Sequence, residues 1–312
     1  MHNIYEVAAA NKRKSYLVMA GFVVFITLAI YAMSNAFAVY LGYRPGGLGI
    51  AGLAFIISGF MSFGSYYWSD KIVLGLSGAR PADRDRDRLF YTVAENLAIG
   101  AGLPKPKLYV IDDSAPNAFA TGRDPDHAAV CATTGLLQKL DRTELEGVIA
   151  HELTHVRNYD TRLMCIVSVL VGSVALIADF LLRATWFGGG RRDRDRDEGQ
   201  LGAIILVIGI VFAILSPFIA QIIQLAISRR REFMADAGGV AITRQPSGLI
   251  SALKKIAGDD EPLEAANKAT AHMYFENPFK SGNIKGAANW FSGLFDTHPP
   301  VEERIKALQQ MV

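Results

Sequence analysis

The stretch that decides the fold is Val148-Ile-Ala-His-Glu-Leu-Thr-His-Val-Arg-Asn-Tyr-Asp160, in which two histidines lie four residues apart and a glutamate follows the first. Just before it, Asp141-Arg-Thr-Glu144 is typical of a capping box that begins a helix. We therefore predict an amphipathic helix on which His151 and His155 lie one turn apart, on the same side. Its apolar positions recur at helical spacing: Leu145, Val148, Ile149, Leu153 and Val156.

The pattern His-Glu-x-x-His on such a helix predicts a catalytic zinc site. Both imidazoles reach one ion, and Glu152 lies next to them around the helix. Zinc lowers the pKa of a water molecule to about 7 and polarises a carbonyl, while a nearby carboxylate accepts the proton and passes it to the leaving amine. The stretch therefore predicts peptide hydrolysis with one Zn2+ per chain, in which His151 and His155 are ligands and Glu152 is the general base.

A catalytic zinc site needs a third protein ligand and keeps one position open for water. His272 and His298 are candidates, but residues 228–238 offer Glu232, with Asp236 one helical turn later. We predict that Glu232 is the ligand and that Asp236 hydrogen-bonds the outer nitrogen of a zinc-bound histidine. Two imidazoles and a carboxylate suit zinc best, although other divalent first-row ions remain alternatives.

The alternative interpretation of this segment is a basic helix beside a membrane, in which Glu232 pairs with Arg229 or Arg231. The order of the chain favours the ligand role. Two apolar runs lie between His151 and Glu232, and an even number of crossings returns the chain to the same side of a membrane.

Composition excludes several classes of protein. The 312 residues are 51% hydrophobic, which is high for a soluble protein, and the formal net charge is only +2. Because the arginines mostly alternate with aspartates, we expect no nucleic-acid partner. The two cysteines, Cys131 and Cys165, are too few and too far apart for a disulfide framework, which favours a reducing compartment.

Four apolar runs predict an integral membrane protein with about four transmembrane helices: residues 17–40, 47–68, 163–182 and 201–227. A cleaved signal peptide is the alternative for the first run, because Ala36-Phe-Ala38 looks like a cleavage site, but this run is too long for a signal. The basic segment Lys12-Arg13-Lys14 places the amino terminus in the cytoplasm. The arginines of residues 191–198 contradict this orientation, because they fall outside after a third crossing.

The chain is accordingly divided into a hairpin (1–69), a first catalytic part (70–162), a second hairpin (163–227) and a second catalytic part (228–312). Ahead of the metal-binding helix, the sequence predicts a small α/β unit. A helix over residues 89–99 ends at Gly100 and Gly102, and three short strands follow, at residues 107–111, 117–122 and 127–132. The expected fold is mostly α, with a small zincin-like α/β catalytic domain assembled from two polar segments.

Four segments in this order around two apolar hairpins resemble the HtpX family: PNAFATGR (116–123), HELTHVRNYD (151–160), RREFMADAGG (230–239) and DTHPPVEERI (296–305). This family consists of multi-pass zinc metallopeptidases of the bacterial inner membrane, related to eukaryotic prenyl-protein endopeptidases. The resemblance covers nearly the whole chain. It implies a cytoplasmic catalytic domain and stress-associated quality control of damaged or misassembled membrane proteins, in a lipid bilayer and together with other quality-control proteases.

The resemblance also implies residue roles. It agrees on the metal ligands His151, His155 and Glu232 and on the base Glu152. It makes His298 the residue that stabilises the oxyanion, with Arg304 beyond it on the substrate side. It implies an edge strand that pairs with the substrate backbone, formed by Asn117, Ala118, Phe119, Ala120 and Thr121. Asp160 either orients a ligand or merely ends the helix.

Two other functions fit parts of the sequence. An intramembrane protease of the site-two type also carries His-Glu-x-x-His, but polar residues flank this helix on both sides, at 138–146 and 157–160. A non-catalytic zinc-containing scaffold or holdase needs no general base, so Glu152 argues against it. Residues 258–295 are interpreted as a mobile flap, with the hypothesis that Phe275–Phe279 gates the cleft; residues 191–198 have no assigned function.

Overall fold

The computed structural model describes residues 4–40, 44, 47–170, 172, 229–266, 270, 273–276, 278 and 299–311. In this part of the chain, two helices are long and apolar enough to cross a membrane, over Glu6–Tyr31 and Gly49–Leu76. They belong to α1 (Ile4–Tyr40) and α2 (Leu48–Leu76). The first two predicted apolar runs fall within these helices, but α1 begins thirteen residues earlier than its apolar run, at Ile4.

The two long helices lie side by side. Thr27 Oγ1 lies 3.0 Å from Ser58 Oγ, and Ser62 Oγ donates to the Met19 carbonyl at 3.5 Å. Residues 160–170 continue as a helix whose apolar side chains pack against α1, including Leu163 and Ile166. The rest of the predicted second hairpin, apart from residue 172, lies outside the described residues, as does the charged run 191–198. The prediction of four crossings therefore stays a prediction.

A four-stranded sheet follows the hairpin in the order β1-β2-β4-β3. Its strands are β1 (Arg80–Pro81), β2 (Lys107–Ile111), β3 (Ala118–Thr121) and β4 (Ala129–Thr133). The pair β2 and β4 is parallel, and β3 runs antiparallel to β4.

The structure corrects the boundaries of two predicted strands. His127 closes a 3-10 turn, Pro125–His127, where Asp124 caps the turn, so β4 begins at Ala129. Asn117 precedes β3, and Gly122, at φ 126°, follows it.

Helices cover the sheet, and the metal-binding helix lies among them. In chain order they are α3 (Arg88–Ala101), α4 (Thr134–Lys139), α5 (Arg142–Arg157), α6 (Arg229–Thr243), α7 (Pro246–Ala257) and α8 (Val301–Gln309). Helix α3 ends as predicted, at Gly102 in the left-handed region. Helix α5 lies at the centre and contacts α3, α6, α7 and β3. Most of its residues are buried, which explains its weak amphipathic pattern.

Candidate metal centre and its surroundings

The metal-binding helix α5 begins with the predicted capping box. The Asp141 side chain accepts from the Glu144 backbone at 2.9 Å, and the Glu144 carboxylate accepts from the Asp141 backbone at 2.9 Å. Glu144 also binds α7, since Lys255 Nζ and Ser251 Oγ donate to it at 2.7 and 2.6 Å. The start of α5 is therefore fixed to α7 as well as capped.

Helix α6 approaches α5 closely because glycines face it. A Cβ atom on Gly239 would lie 3.0 Å from the His151 backbone nitrogen, and one on Gly238 would lie 2.4 Å from the Thr154 side chain. The absence of these side chains lets Glu232, in the first turn of α6, reach the histidines of α5. The close packing of α6 against α5 therefore explains the two glycines that end the segment RREFMADAGG.

Three predicted ligands come together as one buried group, His151, His155 and Glu232. The Nε2 atoms of His151 and His155 are 3.1 Å apart, and each is 3.6 Å from a carboxylate oxygen of Glu232. A tetrahedral zinc ion with bonds of about 2.1 Å holds its ligand atoms about 3.4 Å apart. The spacing and the donor types both fit zinc with three protein ligands.

Each histidine is oriented by a carboxylate on its outer nitrogen. His151 Nδ1 donates to Asp236 Oδ1 at 2.8 Å, and His155 Nδ1 donates to Asp160 Oδ2 at 3.0 Å. Both carboxylates are buried. This is the arrangement predicted for Asp236, and it resolves the alternative for Asp160, which contacts a predicted ligand and is not merely the end of the helix.

Two carboxylates, Asp236 and Glu232, change the pKa of His151. Burial of the imidazole lowers its pKa, but hydrogen bonds with Asp236 and Glu232 outweigh this effect and raise the pKa to about 9. Metal binding at this site must therefore displace a proton from His151.

Arg304 lies behind the histidines and does not face the substrate as expected. Its side chain is 0% exposed, and it binds Asp236 through two hydrogen bonds, at 2.9 Å from Nε and 2.7 Å from Nη2. Burial alone raises the pKa of Asp236, but Arg304 outweighs it and lowers the pKa to about 2. We correct the assignment because a fully buried guanidinium has no surface left for a substrate.

Glu152, the predicted general base, is buried beside the ligand group. Burial raises its pKa, against the neighbouring imidazoles, which lower it. Its carboxylate accepts a hydrogen bond from the Ala120 backbone, so it lies against β3. A carboxylate with a raised pKa is suited to accept and return a proton.

The predicted substrate-binding strand β3 lies at an edge of the sheet, but its residues are all buried. The Ala118 carbonyl accepts from the Phe275 backbone at 2.8 Å. The Asn117 side chain donates to the Glu276 carbonyl at 3.0 Å and accepts from the Glu276 backbone at 3.2 Å. The expectation of an exposed edge is therefore wrong at Asn117 and Ala118, because residues 275–276 already occupy it.

Two residues contact the site in ways that the sequence did not predict. The Phe275 ring lies 5.0 Å from the His151 ring, and the Arg304 guanidinium lies 4.7 Å above it. Phe275 is buried in the main core, and the interpretation of residues 258–295 as a mobile flap stays a prediction. Asn11 of α1 donates to Asp160 at 2.7 Å, whereas the sequence had suggested a role only for the basic residues 12–14 that follow it.

The remaining predictions concern His298, His272 and the partner of Glu232. His298 and His272 lie outside the described residues, so the oxyanion role of His298 stays a prediction. The alternative partner of Glu232, Arg231, has its Nε 3.7 Å from Asp160, while Glu232 faces the histidines. This geometry favours the ligand role of Glu232 over a pair with Arg231.

Comparison with known proteins gives matches along the whole chain. The profile described as peptidase family M48 matches residues 85–312. A protein named "Protease HtpX homolog" from Caldanaerobacter subterraneus is 44% identical over 311 residues, which cover 99% of this chain and 98% of that protein. Proteins with the same name from Ligilactobacillus salivarius and Streptococcus uberis are 43% and 41% identical, and each match covers 99% of this chain and 100% of the relative.

Proposed function

Since the chain belongs to peptidase family M48, we propose that it is a zinc-dependent endopeptidase that cleaves protein substrates at the membrane. The observation that carries the proposal is the ligand group His151, His155 and Glu232, with Glu152 buried beside it. A structural zinc usually takes four protein ligands. Within the part of the chain that the structure describes, three ligands with an adjacent carboxylate of raised pKa support a catalytic role instead.

Zinc, when bound, supplies a Lewis acid that makes water nucleophilic near neutral pH and polarises the scissile carbonyl. Asp236 and Asp160 hold the imidazoles of His151 and His155 by their Nδ1 atoms, so that both Nε2 atoms face Glu232. Glu152 accepts the proton of the attacking water and gives it to the leaving amine. The backbone N–H of Ala120 fixes this carboxylate next to β3, where the substrate is expected.

The proposed substrates are proteins with an extended segment that pairs with β3 near Ala120. Pairing through the backbone accepts many sequences, which suits a protease for damaged or misassembled proteins. Because residues 275–276 occupy Asn117 and Ala118, a substrate either binds nearer Ala120 or displaces them. A stress-response role and a bacterial inner-membrane location are part of the proposal, as the resemblance of the four sequence segments to the HtpX family implies.

The proposed location has the catalytic domain on the cytoplasmic side, together with the amino terminus. The contact of Asn11 with Asp160 supports this, because it joins the polar start of α1 to the metal-binding region. The site-two alternative is not supported, since α5 lies among α3, α6, α7 and the sheet and is not one of the two membrane-capable helices of the described residues.

Metal content and casein cleavage, measured on the same detergent-solubilised samples, test the proposal. We expect wild type to hold about one zinc per chain and to cleave. Glu152→Gln should hold zinc and lose at least about 100-fold in activity, because general acid–base catalysis contributes about 10²–10⁴-fold. Glu232→Ala should lose both metal and activity. Glu146→Gln, an exchange of the same kind on a more exposed part of α5, is the control.

Each contrary result has a definite meaning. Full activity of Glu152→Gln contradicts its role as base. Full metal content and activity of Glu232→Ala places the third ligand elsewhere, with His298 or His272 as the replacements. Zinc without cleavage in the wild type favours the scaffold alternative.

A further inference from the structure

The amino-terminal helix α1 reaches the metal centre through Asn11. This residue lies before the apolar part of the helix, is 2% exposed, and is buried against the segment that follows α5. Its side-chain amide donates to Asp160 Oδ1 at 2.7 Å and to the Asn158 carbonyl at 2.9 Å. An amide nitrogen has two donors, so Asn11 uses both of them on this segment.

The segment bound by Asn11 contains a strained residue. Tyr159, between the two acceptors of Asn11, has a φ of 59°, in the left-handed region. A non-glycine residue rarely adopts this conformation, because its Cβ atom comes close to the following carbonyl oxygen. Lys12, next to Asn11 in α1, lies over the Tyr159 ring, with Nζ 3.9 Å from its centroid. Asn11 thus binds the residues on either side of Tyr159, and Lys12 contacts Tyr159 itself.

This turn brings Asp160 back to the metal-binding helix. Asp160 uses its other oxygen, Oδ2, to accept from His155 Nδ1 at 3.0 Å. Arg231 Nε lies 3.7 Å from the same Oδ1 atom, which is too long for a hydrogen bond. The short contact from Asn11 is therefore the one that fixes the orientation of the Asp160 carboxylate.

We propose that Asn11 is a positioning residue of the metal centre, which acts through Asp160 on His155 and makes helix α1 part of the site as well as a membrane anchor. The inference rests on the proposed zinc-dependent function. It assigns a role to a residue that lies before residues 85–312, the part of the chain that the peptidase family M48 profile matches. Its consequence is that zinc affinity depends on a contact between the membrane hairpin and the catalytic domain.

Zinc affinity of the full-length protein in detergent, measured by competition with a chromogenic chelator, tests this role. Asn11→Leu keeps the size of the side chain and removes both donors. Loss of groups that support a metal ligand typically lowers affinity about 10–100-fold. Because Asn11 acts one hydrogen bond further out, we expect the lower end, about tenfold. Asn35→Leu is the matched control on the same helix, where the amide donates to the Tyr31 carbonyl at 2.8 Å.

A double-mutant cycle distinguishes positioning from general destabilisation. In an Asp160→Ala background, Asn11→Leu should cause little further loss of zinc affinity, whereas Asn35→Leu should be neutral in both backgrounds. The melting temperature of the metal-free protein is measured alongside. If Asn11→Leu does not fold, Asn11→Ser, which keeps one short donor, replaces it and is expected to lose affinity in the same direction.

The two proposals fail differently. Wild-type zinc affinity in a folded Asn11→Leu protein, or losses from Asn11→Leu and Asp160→Ala that simply add, overturns the positioning role and leaves the zinc protease intact. A wild-type protein that neither binds zinc nor cleaves overturns the proposed function, and with it this inference.

Discussion

The buried pair of Arg304 and Asp236 is the residue-scale feature with the largest expected energetic effect. Arg304→Met keeps most of the apolar stem and leaves Asp236 without its countercharge. Removing one partner of a buried ion pair costs about 3–5 kcal/mol. We therefore expect a large drop in the melting temperature in detergent, together with weaker zinc binding, because Asp236 orients His151.

The control for this prediction is Arg84→Met. Arg84 is 75% exposed at its side chain and lies 3.9 Å from Glu95, and exposed pairs contribute only about 0–1 kcal/mol. A similar melting temperature for Arg304→Met and Arg84→Met would contradict the supporting role of Arg304.

At the same scale, the sequence predicts local ligands well and distant partners poorly. His151, Glu152 and His155 follow from the spacing on one helix, which is a local property. Asn11 and Asp160 are 149 residues apart in sequence, and Arg304 and Asp236 are 68 apart. No periodic pattern marks such partners, so Asn11 was missed and Arg304 was assigned to the substrate side, whereas Asp236 was predicted from its spacing to Glu232.

At the scale of elements, helices α5 and α7 touch through glycine. A Cβ atom on Gly147 would lie 2.8 Å from the Leu249 backbone, which cannot move without shifting α7. We expect Gly147→Ala to lower the free energy of unfolding by about 1–3 kcal/mol, the typical cost of overpacking. Denaturant or thermal unfolding in detergent measures it.

Gly100→Ala is the matched control, since Gly100 also lies in a helix and a Cβ atom there meets nothing within 4 Å. Alanine should be neutral or stabilise by about 0.5–1 kcal/mol at this position. Equal effects at both glycines would show that the crossing of α5 and α7 is not as tight as described.

The stability of the contact between α5 and α7 should depend on pH through Glu144. Burial opposes its ionisation, but hydrogen bonds from Lys255, Ser251 and the Asp141 backbone outweigh it and lower the pKa of the carboxyl. A lowered folded pKa means that the stabilisation is fully present above the unfolded value, about 4.3, and is lost as pH falls through the folded pKa. Acid should therefore weaken the connection between α5 and α7.

We expect Glu144→Gln to lower the melting temperature at pH 7, since hydrogen bonds to a charged group contribute about 1.5–3 kcal/mol. The difference from wild type should shrink below about pH 4. Glu146→Gln, which breaks a more exposed pair with Arg142, is the control and should have a smaller effect at pH 7. A difference that grows as pH falls would contradict the assigned direction.

Element prediction succeeded where local signals were strong. The capping box at Asp141 and Glu144 and the glycine end of α3 are present as predicted. Strand β1 was not predicted, because its two residues are too few to show an alternating pattern. The edge strand was located within one residue at each end, but its burial under residues 275–276 depends on a distant segment and does not follow from local sequence.

At the scale of the whole molecule, the catalytic domain and the hairpin share an interface. Residues 160–170 continue from the metal-binding region and pack against α1, and Asn11 joins α1 to Asp160. The apolar runs predicted the two described membrane-capable helices, because length and composition suffice for that. They did not predict that α1 extends beyond its apolar part into the domain, because Lys12, Arg13 and Lys14 interrupt the apolar pattern before residue 17.

This interface leads to a prediction about topology. Both ends of the hairpin must lie on the catalytic side, while the turn at Arg44 lies on the other side. In sealed inside-out vesicles, a membrane-impermeant maleimide should label Asp85→Cys and Glu6→Cys at once. Arg44→Cys should be labelled only after detergent is added. The two native cysteines give little background, because both are fully buried and burial raises the pKa of the Cys131 thiol, so the reactive thiolate is scarce.

The contrary outcomes separate the parts of this argument. Labelling of Arg44→Cys together with Asp85→Cys in sealed vesicles means that α1 and α2 do not form a crossing hairpin, whatever their composition. Protection of Glu6→Cys with labelling of Asp85→Cys means that the amino terminus lies opposite the domain, which is incompatible with the 2.7 Å contact between Asn11 and Asp160. Because the contact and the crossings are tested by different positions, one set of vesicles decides both.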